Sequence, residues 1–359
     1  MQVQSNKIDF KDQNIYVGFD VHLKDWSVTI MSDYLTHKTF SQPPKPEVLH
    51  QYLVKNFPGA TYYSAYEAGF SGYWIHNSLK ELGVNSIVVN PADIPTTDTE
   101  KDQKDDHRDS IKIARSLKNG ELVPIYVPSI KTLEDRTLVR TRSMLTKDLT
   151  RNKNRIKAFL YFHGIDIPDL FIKSKSHWSK RFMDWLSKID TNEGSGKFAL
   201  NAIISTVTNL REQQLKVSKE ITELSKTDYY KDRLLLLKTI PGIGITTAMI
   251  ILTELESIDR FRNLDQLCRY VGFIPSRHSS GEKDRMGKLT KRGHSILRNA
   301  LIESAWIGAR RDPALFKSYN NYCKRMKPNE AIIRIAKKML SRISYVLKNE
   351  KPYEFSIVK

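Results

Sequence analysis

Hydrophobic residues follow two spacings in the first third of the chain. Five short stretches have the apolar run or the two-residue alternation of β-strands: 15–19, 26–31, 37–40, 61–68 and 86–90. Three stretches have apolar residues at helical spacing: 47–56, 71–82 and 106–119. Gly83 and Gly120 are stop signals after the second and third of these helices. The resulting order, β-β-β-α-β-α-β-α, predicts an α/β domain with a mixed sheet.

The remaining chain has helical spacing along most of its length. Residues 130–163 carry one apolar stripe, and residues 200–226 place apolar residues at alternating steps of four and three, with Gln214 as a polar interruption. An antiparallel helical hairpin, a dimerising coiled coil and two ordinary bundle helices all agree with this spacing. Four further features are predicted in order: a helix–turn–helix around 240–244, short helices after 260, a loop over 276–294, and two helices over about 295–310 and 329–348.

Charge is distributed unevenly along the 359 residues. The formal net charge is +18, yet residues 1–125 hold 13 lysines and arginines against 16 aspartates and glutamates and so carry −3. The rest therefore carries +21, which indicates a strongly anionic partner. Charge and element pattern together predict three domains: 1–125, 126–232 and 233–359. The alternative is a globular protein that is merely basic.

Composition also excludes several classes of protein. Cys268 and Cys323 are far apart and have no CxxC partner, which predicts neither a zinc site nor a disulfide framework and favours a reducing compartment. No apolar run approaches the ~20 residues of a membrane helix. The polar N-terminus lacks the apolar core of a signal peptide. We therefore expect a cytoplasmic protein without a membrane partner.

Four acidic residues are candidate metal ligands. Asp20 and Glu67 each end a predicted strand, and Asp106 and Asp109 lie at positions i and i+3 of one predicted helix face. Carboxylates gathered in this way can bind a pair of Mg²⁺ ions together with substrate phosphate. Crowded acids are unfavourable without a cation, which argues for bound metal. The alternative is that each acid is a solvated surface group.

Two glycines mark a candidate contact to DNA. In the turn Ile240–Gly244, Gly242 and Gly244 separate two apolar helices, as in the hairpin of helix-hairpin-helix modules. Backbone N–H groups in such a turn can hold a phosphate without reading sequence. The alternative is a tight turn that only joins two helices.

Two serines in a basic stretch are candidate nucleophiles. Ser279 and Ser280 precede Gly281 and are surrounded in the sequence by six cationic residues: Arg277, Lys283, Arg285, Lys288, Lys291 and Arg292. Cations beside a hydroxyl would stabilise a pentacoordinate phosphorus and assist formation of an alkoxide. The alternative is a phosphate-binding loop whose serines only form hydrogen bonds.

These motifs together resemble the DEDD transposases of group one-ten bacterial insertion sequences, which include relatives of the Piv invertase. The motifs of the front part are Tyr16–His22, Tyr66–Ala68 and Asp106–Ser110. Those of the back part are Ile240–Gly244, Tyr270–Pro275, Ser279–Gly281, Thr290–Gly293 and Leu297–Arg298. Both sets stand in the family's order and cover nearly the whole chain. One difference is Glu282, where a second glycine is common in relatives.

The resemblance implies a fold and a chemistry. It implies an RNase H-like, RuvC-type N-terminal domain, a helical or coiled-coil middle, and a mainly α C-terminal domain. The four acids would bind two Mg²⁺ ions. A serine, best matched by Ser280 and second by Ser279, would form a covalent phosphoserine link to DNA.

The resemblance also implies partners. A noncoding RNA encoded by the element would pair with donor and target DNA. Dimers to tetramers would share composite sites, with acids and serine from different subunits. The function expected is therefore a transposase or recombinase associated with the nucleoid.

Two rival functions remain at this point. The alternative within enzymes is a RuvC-like, structure-selective nuclease in which water attacks the phosphorus and the serines only bind. The non-enzyme alternative is an architectural nucleic-acid-binding protein, which would bind in a salt-sensitive way without cutting.

Overall fold

The computed structural model describes residues 10–96, 105–172, 177–191, 193–280, 283–289 and 293–355, with the backbone alone for 275–280 and 283–289. The chain divides into two compact units, Met1–Val127 and Pro128–Lys359. Among the described residues, no helix is both long and apolar enough to cross a bilayer. The predicted boundary after 125 lies two residues before this division, and the boundary after 232 lies inside the second unit. The three-domain division stays a prediction.

The first unit contains a mixed five-stranded sheet and helices in the predicted order. Its described elements are β1 (Asn14–Val21), β2 (Trp26–Ser32), β3 (Thr36–Gln42), α1 (Pro46–Asn56), β4 (Thr61–Glu67), α2 (Trp74–Glu81), β5 (Asn85–Val89) and α3 (Asp106–Lys118). The strand order is β3-β2-β1-β4-β5. The first three strands pair antiparallel, whereas β1–β4 and β4–β5 pair parallel. The predicted mixed sheet is confirmed.

Side chains of β1 alternate between the two faces of this sheet. Ile15, Val17 and Phe19 are fully buried in a core that includes Leu49 of α1 and Leu79 of α2. The intervening residues of β1 point to the opposite face, because successive side chains of a strand alternate. That opposite face is covered by α3.

Helix α3 lies directly on β1 at Gly18. A Cβ atom at this position would stand 2.1 Å from the backbone nitrogen of Ala114 and 2.5 Å from the carbonyl oxygen of Ser110. Both atoms belong to the α3 backbone and cannot rotate away as a side chain could. Only glycine therefore permits this close approach of helix and strand.

The second unit is mostly helical, as predicted. Its described elements are α4 (Ile130–Phe162), α5 (Asp169–Ile172), α6 (Lys180–Ser187), α7 (Gly194–Leu224), α8 (Lys231–Lys238), α9 (Ile245–Leu255), α10 (Leu264–Val271), β6 (Pro275–Ser280), β7 (Lys283–Leu289), α11 (Ser295–Arg311), α12 (Pro313–Cys323) and α13 (Pro328–Asn349). A large apolar core joins α8–α13 with parts of α4 and α7.

The two longest helices, α4 and α7, form an antiparallel pair within the chain. Arg142 donates to Ser218 at 2.9 Å, and Gln214 donates to Thr146 at 2.7 Å. The later residue of α4 thus pairs with the earlier residue of α7, so the two helices run antiparallel. The polar position of the seven-residue pattern, Gln214, is thus used in a contact between these helices.

The structure corrects two predictions in the second unit. The segment expected to be a loop over 276–294 contains the antiparallel strands β6 and β7. Its many charged residues hide the strand signal, since no alternation of apolar and polar residues marks it. In addition, three helices end the chain instead of two. Buried Asp312 caps α12 and Pro313 begins it, which separates α11 from α12.

Replacing Gly18 with alanine should destabilise the first unit. The added methyl would have to push the α3 backbone off β1, so we expect a loss of roughly 3 kcal/mol in the free energy of unfolding, at the upper end of overpacking costs. Gly69→Ala is the matched control, because its Cβ would meet its nearest neighbour only at 4.0 Å. The free energies of unfolding of both variants are measured by urea titration, with circular dichroism as the signal. Equal stability of the two variants would contradict the close packing at Gly18.

Candidate active site

Two of the four predicted acids lie side by side at the carboxyl ends of parallel strands. In the β1–β4 ladder, Phe19 stands opposite Tyr66, so the next residues along the two strands are Asp20 and Glu67. Strand alternation places Asp20 on the face of Gly18, which is the face covered by α3. Both carboxylates therefore project at the edge of the sheet where α3 begins.

The start of α3 is fixed to the sheet by hydroxyl groups. Thr29 of β2 bonds Ser110 at 2.8 Å, and Ser27 bonds Nδ1 of His107 at 2.8 Å. Ser110 is fully buried. Asp105, a neighbour of the predicted ligands, caps the helix by accepting from the backbone N–H of His107. These bonds determine where the first turn of α3, with Asp106 and Asp109, stands over β1 and β2.

His22 joins two of the acids. Its Nε2 lies 3.1 Å from Oδ2 of Asp20 and 3.3 Å from Oδ2 of Asp106. One ligand atom from each of these three residues lies within 4.8 Å of the others, which is a spacing that could hold a metal ion.

Lys112 joins the other two acids. Its ammonium group is 2.7 Å from Oδ1 of Asp109 and 3.9 Å from Oε1 of Glu67. Only 10% of the Lys112 side chain is exposed, so this positive charge is held among carboxylates and largely away from water. The structure thus gathers all four predicted acids at one end of the sheet, two around His22 and two around Lys112.

The electrostatics of the cluster reflect its crowding. Burial raises the pKa of Asp20, and the charges of Asp106 and Asp109 raise it further, against the opposing effect of His22. Partial burial opposes protonation of His22, but Asp20 and Asp106 raise its pKa above the usual value. Carboxylates that repel one another and attract protonated side chains have the donor atoms and the charge that fit a hard divalent cation.

Two residues of the cluster are absent from the set that the sequence predicts, namely His22 and Lys112. A signal exists in the sequence for each. His22 is two residues from Asp20, and Lys112 is three residues from Asp109 on the same helix face.

The predicted serines lie at the end of β6. In the β6–β7 ladder Ser279 stands opposite Asp284 and Ser280 opposite Lys283. Arg277 lies in β6, whereas Lys283, Arg285 and Lys288 lie in β7. The predicted residues Lys291 and Arg292 lie outside the described residues.

Strands β6 and β7 form a hairpin, and close backbone contacts join the chain segments at its base. A Cβ atom on Gly293 would stand 2.5 Å from the Cα atom of Gly272, so the chain segments that enter and leave the hairpin touch. The backbone N–H of His294 donates to the carbonyl oxygen of Tyr270 at 3.1 Å, and the two rings stack.

A buried glutamate completes this base. Glu254 has no exposed surface, and Arg140 donates to both of its carboxylate oxygens at 2.8 and 2.9 Å. Nε2 of His294 lies 3.0 Å from Oε2, and Nε of Arg136 lies 3.3 Å from the same oxygen. Burial opposes ionisation of Glu254, but hydrogen bonds from His294 and Arg140 outweigh it and lower its pKa to about 2.

The predicted phosphate-binding turn has two distinct glycines. Gly242 has φ +94°, and a Cβ there would stand 2.4 Å from the carbonyl oxygen of Ser304 in α11. Gly244 is exposed, has open space around it and precedes the first turn of α9. The turn is therefore packed at Gly242 and accessible at Gly244.

Removing the charge of Glu254 should destabilise the second unit in a pH-dependent way. Because its folded pKa is about 2 against a usual 4.5, its contribution is fully present above the usual value and is lost as pH falls through the folded value. Glu254→Gln should cost about 3 kcal/mol near neutral pH, since Arg136 stays buried without its counter-ion.

The pH dependence of this loss is measured by thermal unfolding of wild type and Glu254→Gln at a series of pH values. The gap in melting temperature should be constant above about pH 5 and should shrink as pH falls toward 2. Glu223→Gln, which removes an exposed carboxylate paired with Lys226, should change little at any pH. A gap that does not depend on pH would show that Glu254 acts through packing and not through its charge.

Comparisons with known proteins agree with the two halves of the chain. Residues 17–164 match the family model for DEDD transposases of the IS110 type, described as "Transposase". Residues 234–320 match the model described as "Transposase IS116/IS110/IS902 family". Together the two matched segments cover more than half of the chain and contain all the predicted acids and both serines.

Three similar proteins carry transposase names. "Putative transposase y4qE" of Sinorhizobium fredii is 30% identical over 68% of this chain, and the aligned stretch spans 58% of that protein's length. The transposase for insertion sequence element IS1533 of Leptospira borgpetersenii is 29% identical over 82% of this chain and 85% of its own length. The transposase for IS1111A of Coxiella burnetii is 24% identical over 66% of this chain and 63% of its own. The chain therefore belongs to the IS116/IS110/IS902 family of transposases.

Proposed function

We propose that this protein is a Mg²⁺-dependent transposase that cuts and joins DNA through a phosphoserine intermediate. The observation that carries the proposal is the gathering of Asp20, Glu67, Asp106 and Asp109 at one end of the sheet. Acids at strand ends and on a neighbouring helix are the arrangement expected of an RNase H-like, RuvC-type domain. Burial and the charges of Asp106 and Asp109 raise the pKa of Asp20, and perturbed pKa values of this kind are concentrated at functional sites.

The four carboxylates would hold two Mg²⁺ ions. Such ions, when bound, stabilise the charge of the attacking and leaving oxygens in phosphoryl transfer. Asp20 and Asp106 would contribute ligands on the side of His22, and Asp109 and Glu67 on the side of Lys112.

His22 and Lys112 would act beside the ligands. His22, which bonds Asp20 and Asp106, orients both carboxylates and balances part of their charge. Lys112 does the same for Asp109 and Glu67, and its donors can turn to a phosphate oxygen when DNA is present.

In the back half, Ser280 would be the nucleophile, with Ser279 as the second choice. Its hydroxyl oxygen would form a bond to phosphorus while its proton leaves, and the bond from phosphorus to the deoxyribose oxygen would break, with a proton taken up by that oxygen. The phosphoserine link keeps the bond energy for rejoining. Ser280 is the last residue of β6 and stands opposite Lys283 in the ladder, so a strand of the hairpin carries the proposed nucleophile.

The proposed partners are donor DNA, target DNA and an element-encoded guide (bridge) RNA, bound by a dimer or tetramer. The charge of +21 beyond residue 125 supports a polyanionic partner. Gly244 and the cationic residues of β6 and β7 are the candidates for contacts to phosphate. The α4–α7 pair is the candidate for assembly.

Removing Asp20 should greatly reduce stabilisation by metal without harming the fold. Because the pKa of Asp20 is raised in the folded state, its ionised form costs stability at neutral pH, and Asp20→Asn should melt at the same or a higher temperature without metal. Wild type should gain about 2.7 kcal/mol at a Mg²⁺ or Mn²⁺ concentration of 100 times Kd, and the variant much less. Differential scanning calorimetry measures both. Asp25→Asn, an exposed acid outside the cluster, is the control, and an unchanged metal response in Asp20→Asn would contradict the metal site.

Covalent trapping tests the proposed chemistry. The protein is purified with co-expressed element-end RNA and mixed with labelled donor and target DNA and Mg²⁺, and adducts are separated on a denaturing gel. We expect a protein–DNA adduct in wild type, its loss in Ser280→Ala and in Asp20→Asn, and its retention in Ser279→Ala.

The other outcomes are equally informative. An adduct that disappears in Ser279→Ala alone would move the nucleophile by one residue. Cleavage without any adduct, unaffected by either serine change, would identify a nuclease that uses water and would reject the serine step. Binding without cleavage, indifferent to Asp20→Asn, would identify an architectural protein.

A further inference from the structure

Three cationic side chains on α4 and α7 are gathered without an acidic partner. Lys153 and Lys157 are four residues apart and so project from one face of α4, and Arg211 lies on the antiparallel helix α7. Burial lowers the pKa of Lys153, and the charges of Arg211 and Lys157 lower it further. Among the described residues, no ion pair joins any of the three to a carboxylate, and none of their i±3 or i±4 neighbours is acidic.

Several other cations of the same helix pair are paired with acids. Lys131 lies 3.0 Å from Asp135, Arg151 lies 3.1 Å from Asp148, and Lys226, just after α7, lies 2.8 Å from Glu223. Within the described part of the chain, Lys147 and Lys216 of these helices also have no ion pair, so the feature that distinguishes Lys153 and Arg211 is their shared contact with Trp178.

Trp178 contacts two of these three side chains. The ammonium of Lys153 stands 5.2 Å from the centre of the Trp178 ring, and Arg211 donates to the Trp178 carbonyl oxygen at 2.9 Å. The ring of His177 stacks on that of Trp178 at 5.4 Å, and burial followed by the charges of Lys157 and Lys153 lowers the pKa of His177. Trp178 adopts φ +64°, a left-handed conformation that is unfavourable for a residue with a side chain and persists only when its surroundings require it.

We propose that Lys153 and Arg211, which both contact Trp178, bind the phosphodiester backbone of a nucleic acid together with Lys157, one turn further along α4. We call this group the Trp178 site. Cations that repel one another and lack a counter-ion are stabilised when an anion arrives. A phosphate can accept from the guanidinium fork and from an ammonium together. The identity of the anion as nucleic acid rests on the proposed function, whereas the site itself rests on the geometry.

Binding in EDTA tests the site apart from any cleavage. The probes are a labelled single-stranded RNA, a single-stranded DNA and a duplex DNA of the same length, and fluorescence anisotropy is measured over a range of salt concentrations. For the double variant Lys153→Gln/Lys157→Gln we expect at least one probe to bind about tenfold more weakly, as for loss of a charge-assisted hydrogen bond. The salt slope of single-strand binding should fall by about 0.7 for each phosphate that the variant no longer neutralises.

Two controls separate charge from structure. Lys197→Gln removes a cation of α7 that is already paired with Asp190, and it should leave affinity and salt slope unchanged. Arg211→Lys keeps the charge but loses the fork, so it should keep the salt slope and lose part of the affinity.

Stability provides an independent readout. Since Lys153→Met removes a repelled charge and keeps an apolar stem, the variant should melt at the same or a higher temperature without nucleic acid. A lower melting temperature would mean that the group is structural.

The binding measurements distinguish success of the site from failure of the site and from failure of the proposed function. A probe whose binding weakens in the double variant and not in Lys197→Gln supports the site, and the probe most affected names RNA or DNA as its ligand. Affinities and slopes equal to those of Lys197→Gln for all three probes would overturn the proposal. A protein that binds through the site in EDTA but forms no adduct with Mg²⁺ would reject the proposed function and leave the site standing.

Discussion

Helix α3 can rest directly on β1 only because residue 18 has no side chain. The α3 backbone at Ser110 and Ala114 occupies the space that a Cβ would take. This contact sets the height of α3 above the sheet, and the hydroxyl bonds of Ser27 and Thr29 set its position along the strands. The two acids of α3 reach those of β1 and β4 from that position. The candidate metal site therefore depends on a glycine two residues before its first ligand.

Charge in the first unit is arranged as a balance between crowded acids and two basic side chains, His22 and Lys112. Burial and the charges of Asp106 and Asp109 raise the pKa of Asp20, and His22 opposes that increase. Lys112 pairs with Asp109 and lies near Glu67. The proposed binding of a divalent ion would need little rearrangement of the carboxylates, because they are already in place. The same logic explains why the helix that carries two acids also carries Lys112.

Charge in the second unit is used in two opposite ways. Around Glu254, a fully buried carboxylate is paired with Arg136, Arg140 and His294, and the group joins α4, α9 and the base of the β6–β7 hairpin. Removing Glu254 there would leave the buried Arg136 without its counter-ion, so the network favours a single geometry of the hairpin base. At the Trp178 site, by contrast, cations are held without a counter-ion. The first arrangement stabilises a fold, and the second is suited to binding.

The sequence predicts the order of strands and helices in the first unit and the helical character of the rest. It also identifies the candidate acids and serines. Periodicity and residue type depend on local chemistry, which a single chain displays directly. The folded structure was needed to show that Asp20 and Glu67 are neighbours, that His22 and Lys112 stand between the acids, and that Glu254 supports the hairpin. Those contacts join residues that are far apart in the sequence. The packing that brings them together, such as the close approach of α3 at Gly18, leaves no periodic pattern in the sequence. The charged β6–β7 hairpin escapes prediction for the same reason, since backbone pairing forms its strands and no apolar face marks them.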